Sequence, residues 1–181
     1  MHLNDLFEAV RPALLYHCTP AAEEILRSNE ILAKTPHSVR LPYGRTRPGF
    51  RPAETDKFNN VYGVSLTRNP FFARRWGSGE GIVLVLDAAK LNRDYRLVAI
   101  DHYNGITQRS ESEEFLVGPL KNVKKYLVSI QMSQQTYDEM NEYNDQFIEG
   151  HKPYELVLNS PLLRIEGKTW NNMSGKIEKA A

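Results

Sequence analysis

Three short stretches hold the side chains of this chain whose types and spacing could do chemistry. "LLYHCT" sets His17 beside Cys18 and two residues before Thr19, and "VSLT" alternates Ser65 and Thr67 with Val64 and Leu66. "ESEEFLV" crowds Glu111, Glu113 and Glu114 against an apolar run. A carboxylate at the mouth of a buried strand is costly to desolvate unless something pairs with it or uses it. One that enters a cleft can stabilise developing positive charge; one that does not is a solvated turn. His17 alone reads as a satisfied core histidine. Ser65 and Thr67 share one side of a strand, where plain β-propensity also accounts for them. His17 and Cys18 are strand neighbours pointing to opposite faces, so they cannot form a nucleophilic dyad, and Cys18 reads as a small buried hydrophobe.

Other chemistries lack their signatures. There is no GxSxG, P-loop, GxGxxG or HExxH. A single cysteine excludes an internal disulfide framework and a cysteine zinc cage, and no ligand cluster asks for a metal. The net charge of +1 gives no global basic field for nucleic acid. At 181 residues, 41% hydrophobic and 25% charged, the chain suits one globular domain. No run is apolar enough to span a bilayer, so no membrane partner is expected, and a reducing cytoplasmic setting, of a producing or a host cell, fits the cysteine count.

The elements that must position these residues follow from periodicity. Leu3, Leu6, Phe7 and Val10 have helical spacing, stopped by Pro12. "ALLYHCT" reads as a strand, followed by an amphipathic helix over "PAAEEILRSNEIL" with Thr19 as N-cap and Pro20 at its first position. Residues 34–60, with four prolines and two glycines, read as a long loop. It carries Lys34, Arg40, Arg45, Arg47 and Arg51 before the first acid, Glu54. "VYGVSLT" is a strand, and "NPFFARRWG" a helix capped by Asn69 with Pro70 first. "GIVLVLDAAKL" reads as the clearest buried strand, "YRLVAID" as the next, and a polar loop over 102–112 leads to "EEFLV". "GPLKNV" reads as a turn, "KYLVSIQM" as a strand, "TYDEMNEYNDQFIEGH" as a helix, and "ELVL" and "PLLRI" as strand-like pieces. Short links and few crossover helices predict an α+β fold with mainly antiparallel or mixed sheets.

The order His-x-Thr and helix, Ser-x-Thr and helix, then Glu before a strand resembles the ADP-ribosyltransferase superfamily. "LLYHCTPAAEEILRSNEIL" is similar to the opening of its poly(ADP-ribose) polymerase branch and of DarT-type toxins. "VYGVSLTRNPFFARRW" and "SEEFLVGPLKNVKKYLVSI" are similar to its second and third blocks. The resemblance covers roughly residues 14–131. It implies an ADP-ribosyltransferase-like α+β fold, with split mixed β-sheets around an NAD cleft and a few flanking helices. Residues 1–181 would then be one catalytic domain, with 135–181 a C-terminal helix and cap. The implied activity is mono-ADP-ribosyl transfer from NAD, the substrate, to a macromolecular acceptor, with nicotinamide released and no metal required. Protein is the preferred acceptor over nucleic acid, and a toxin or phage effector is one role such an enzyme takes.

The chemistry of that reaction explains the residue types. Cleavage of the nicotinamide–ribose bond passes through an oxocarbenium-like state, which a fixed carboxylate on the ribose 2′-hydroxyl stabilises. By the resemblance, His17 and Thr19 would hold NAD, Ser65 and Thr67 would support the middle of the site, and Arg47 and Arg51 would meet the pyrophosphate. The same basic loop could instead steer a nucleic-acid acceptor. The carboxylate is Glu114 if the acid stands directly before "FLV", or Glu113 if Glu111-Ser112-Glu113 is a Glu-x-Glu pair. Glu114 is preferred, and strand alternation lets only one of the two enter a cleft. The acceptor-side loop offers Tyr103, Gln108, Arg109 and Glu111. His17 departs from the arginine of arginine-modifying toxins, and Ser65 from the tyrosine of the polymerases, which leaves the acceptor open. The rivals are a tRNA 2′-phosphotransferase, a plain NAD glycohydrolase, and a non-catalytic module that binds NAD, ADP-ribose or a protein partner.

Overall fold

The computed structural model describes residues 14–33, 63–76, 81–100, 113–148 and 151–168. Nine strands and six helices fall among them. In chain order they are β1 (Leu14–Thr19), α1 (Ala22–Ser28), β2 (Glu30–Ile31), β3 (Gly63–Thr67), α2 (Pro70–Trp76), β4 (Ile82–Asp87), α3 (Ala88–Asp94) and β5 (Leu97–Ile100). Then follow β6 (Glu113–Val117), β7 (Leu120–Lys121), α4 (Val123–Tyr126), β8 (Leu127–Met132), α5 (Gln134–Asn144), α6 (Glu155–Leu158) and β9 (Leu163–Ile165). The fold is mixed α+β, as the sequence implies.

Seven strands form one sheet in the order β5-β6-β3-β1-β4-β8-β9, and β2 and β7 pair separately. Every pairing is antiparallel except β8 with β9, which is parallel. β4 lies beside β1, and its five consecutive apolar residues are buried on both faces, as a continuous hydrophobic run requires. Alternation sorts the sheet into two layers. Leu15, Leu66, Leu84, Leu86, Leu116 and Ile130 pack under the apolar residues of α1, α3, α4, α5 and α6. On the other face Ala73 of α2 covers Val83 and Val85, with Leu14, Tyr16 and Cys18 alongside. Truncating a fully buried leucine such as Leu84 to alanine costs about 2–5 kcal/mol, so this packing sets the strand register firmly.

Four sequence expectations need correction. The helix after β1 begins at Ala22, with Ala21 and not Thr19 at its cap, because the Thr19 hydroxyl accepts the Ala21 amide (3.1 Å) in a tight turn. It also ends at Ser28: Asn29 adopts the left-handed conformation (φ 59°), and Glu30–Ile31 continue as β2. The strand expected over 81–91 stops at Asp87, whose carboxylate accepts the Lys90 amide (2.9 Å) and starts α3. "GPLKNV" is more than a turn, since it contains β7 and the start of α4, and Tyr126 closes α4 before β8 begins. "ELVL" is helical, for a reason that lies elsewhere in the chain. Both oxygens of buried Glu23 accept amides from the start of α6, Leu156 (3.1 Å) and Val157 (2.9 Å). By contrast, Asn69 caps α2 as expected, its Oδ1 accepting from the Phe71 amide (3.0 Å).

Candidate functional site

β1, β3 and β6 bring the first, second and third motifs side by side. Tyr16 pairs with Thr67 between β1 and β3, whereas β1 pairs with β4 along its whole length, Leu14 to Thr19. β3 and β6 pair continuously from Gly63↔Val117 to Thr67↔Glu113. β1 and β3 therefore share an anchor at one end and little ladder beyond it. Across that junction the His17 ring bonds to the Ser65 main-chain carbonyl (Nδ1···O 3.0 Å). A carbonyl only accepts, so Nδ1 carries the proton, and in neutral His17 Nε2 is the acceptor.

The register then places His17 and Glu114 in relation. Tyr16↔Thr67 directs His17 toward Leu66, and Leu66 is the partner of Glu114. Directly opposed residues share a face. His17, Leu66 and Glu114 thus form one cross-sheet row, with His17 and Glu114 two strand spacings, about 10 Å, apart.

Glu114 is buried, and its Oε1 accepts from Nε of Arg68 in an ion pair. The side chains are 10% and 8% exposed, so water screens the pair weakly. A carboxylate this far from water is tenable because it is paired, and an unpaired one would cost several kcal/mol. The local chain explains how Arg68 arrives there. Arg68 lies two residues beyond Leu66 and so falls to the same side of the β3 line. The buried hydroxyl of Thr67 accepts the Asn69 amide (3.0 Å), turning the chain out of the ladder at that point.

The other expected site residues separate into four groups. Thr19 is buried near the end of β1, with its hydroxyl in the turn to Ala21. Ser65 and Thr67 lie on the face of β3 opposite Leu66, Ser65 exposed and Thr67 fully buried, so their side chains are not gathered with His17 and Glu114; Ser65 meets His17 through its carbonyl. The backbone of Glu113 pairs with Thr67 and Ile100, one row beyond Glu114. Arg47, Arg51, Tyr103, Gln108, Arg109 and Glu111 lie outside the described residues. Arg68 is the residue that motif reading passed over. Its signal was parity with Leu66, which gains meaning only once the β3–β6 register is known.

Cys18 packs against the opposite face with Ala73, Val83 and Val85, and burial pushes its thiol up to about 12. A thiol held protonated is a poor nucleophile, in keeping with its reading as a small hydrophobe. Among the described residues no group of three His, Cys, Asp or Glu side chains could hold a metal, and no helix is long and apolar enough to cross a membrane.

No protein-family model matches the chain, and no curated protein matches it. Solved structures of DarT from Thermus sp. 2.9 are similar to it. The complex with ADP-ribosylated ssDNA aligns with a TM-score of 0.46 and 17% identity, covering 86% of this chain and 94% of that one. The complex with NAD+ gives 0.41 and 20%, over 78% and 93%, and the complex with carba-NAD+ gives 0.41 and 19%, over 75% and 90%.

Proposed function

We propose that the chain is a mono-ADP-ribosyltransferase that uses NAD as substrate and Glu114 as its catalytic carboxylate. The observation that carries this reading is the row of His17, Leu66 and Glu114 across β1, β3 and β6, with the imidazole tautomer set by a carbonyl and the carboxylate held by an arginine. In this reading the nicotinamide–ribose bond breaks with its electron pair leaving on nicotinamide, and positive charge grows on the ribose. Glu114 accepts the ribose 2′-hydroxyl, which gains strength as that charge develops. His17 Nε2 accepts a hydroxyl of the other ribose. A nucleophile on the acceptor then forms the new bond to the ribose carbon and gives up its proton. Thr19, Ser65, Thr67, Arg47 and Arg51 remain residues to test for NAD binding, as do Tyr103, Gln108, Arg109 and Glu111 for the acceptor. Glu114 is favoured over Glu113 because it shares the row with His17.

The acceptor is read as a macromolecule, protein before nucleic acid. Incubation with adenine-labelled NAD and a cell lysate, followed by separate protease and nuclease digestion, distinguishes the two. Label that survives nuclease and is released by protease supports a protein acceptor. The converse supports a nucleic acid, the acceptor in the DarT complex with ADP-ribosylated ssDNA. Free nicotinamide without transferred label means an NAD glycohydrolase, and neither product means a binding module.

A further inference from the structure

Resting on the reading of Glu114 as the catalytic carboxylate, we infer that Arg68 is its positioning residue: Nε–H of Arg68 holds Oε1 of Glu114 and leaves Oε2 aimed at the ribose 2′-hydroxyl. Three observations meet here. The pair is nearly buried, at 10% and 8% side-chain exposure. The contact is made through Nε, the one guanidinium nitrogen whose position is set directly by the side-chain stem. Arg68 leaves β3 at a fixed turn, held by the Thr67 hydroxyl on the Asn69 amide, so the donor is presented by a constrained backbone.

Two effects oppose one another at such a pair. The guanidinium charge offsets part of the carboxylate's field at the ribose, which would slow the reaction. Fixing the carboxylate in one orientation speeds it, since a misplacement of about 1 Å can cost 10²-fold. Oε2 would bond the ribose directly while the guanidinium sits behind Oε1, and Coulomb interaction falls with distance. Orientation therefore wins. Lysine would not substitute: its ammonium keeps the charge but has no Nε–H at that place on the stem.

The test measures nicotinamide release and, separately, binding of a carbocyclic NAD analogue that cannot be cleaved. Arg68→Gln should lower kcat by roughly 30- to 100-fold with analogue affinity within about threefold, a loss confined to the transition state. Arg68→Lys should recover less than about a tenth of the lost rate. In a Glu114→Gln background, adding Arg68→Gln should change the residual rate by less than about threefold, because Arg68 acts through that carboxylate. Melting curves accompany each variant. If Arg68→Gln does not fold, Arg68→Lys against the wild type and the charge-neutral double variant against Glu114→Gln carry the comparison. The inference is overturned if Arg68→Gln keeps or raises kcat, if Arg68→Lys restores it fully, or if the loss lies in analogue binding. A wild-type protein that releases no nicotinamide overturns the underlying reading, and this one with it.

Discussion

Glu23 of α1 ties the start of α6 to the helix that follows the His17 strand, and its removal should be costly. It sits on α1, 3% exposed, and its two oxygens accept the Leu156 and Val157 amides at 3.1 and 2.9 Å. These amides begin α6, whose first turn has no other side-chain cap, and Val157 is fully buried. Hydrogen bonds to a charged group contribute about 1.5–3 kcal/mol each, and leaving buried donors unmet adds to the loss. The ion pair with Arg27 adds little, since Arg27 is 68% exposed and such pairs contribute about 0–1 kcal/mol. Glu23→Ala should therefore cost about 3–5 kcal/mol, and at about 2–4 °C per kcal/mol for a chain of this size the melting temperature should fall by roughly 6–20 °C. Urea unfolding followed by circular dichroism measures it, with Arg27→Ala as the control, expected below about 1 kcal/mol. A Glu23→Ala loss no greater than that of the control would refute the assignment of Glu23 as the cap of α6.

Three further outcomes follow from single contacts. A methyl group on Gly63 would run into the Phe115 ring and the Leu116 carbonyl, so Gly63→Ala should destabilise by about 1–3 kcal/mol and reduce any Glu114-dependent activity with it; unchanged unfolding would show that β3 and β6 have room to part. The Lys125 ammonium and then the Tyr126 hydroxyl hold the Asp94 carboxyl down to about 2 from an ordinary 3.8. A depressed carboxyl favours the folded state above the unfolded pKa and loses that contribution as pH falls from about 4 through about 2. Carbon-detected titration should find the low midpoint, moving toward the ordinary value in Lys125→Met; a midpoint the same in both proteins counts against the pairing. The Cys18 thiol, raised to about 12, should resist a thiol reagent at pH 8 until the protein unfolds, and Cys18→Ala should still turn over NAD. Rapid labelling of the native protein would contradict a partly buried thiol held protonated.

Local signals made much of this fold legible. The apolar run of β4, the Asn-Pro start of α2 and the acid-to-apolar switch of β6 each state their structure within a few residues. α3 was hidden because "DAAKL" continues an apolar pattern, and only the Asp87 cap turns strand into helix. α6 was hidden more deeply: "ELVL" favours a strand by composition, and the group that makes it helical is Glu23, more than a hundred residues away in sequence. The site divides in the same way. The types of His17 and Glu114 and their order along the chain were visible in the motifs. Their shared row, the opposite facing of Ser65 and Thr67, and the contact of Arg68 with Glu114 come from strand register, which no single motif encodes.

The role of Glu114 is read out by nicotinamide release from NAD, followed by chromatography for the wild type, Glu114→Gln and Glu113→Gln. A catalytic Glu114 gives release by the wild type, a fall of at least about 10³-fold in Glu114→Gln, and a rate within about tenfold of wild type in Glu113→Gln. Equal activity in wild type and Glu114→Gln, or the larger loss in Glu113→Gln, would contradict it.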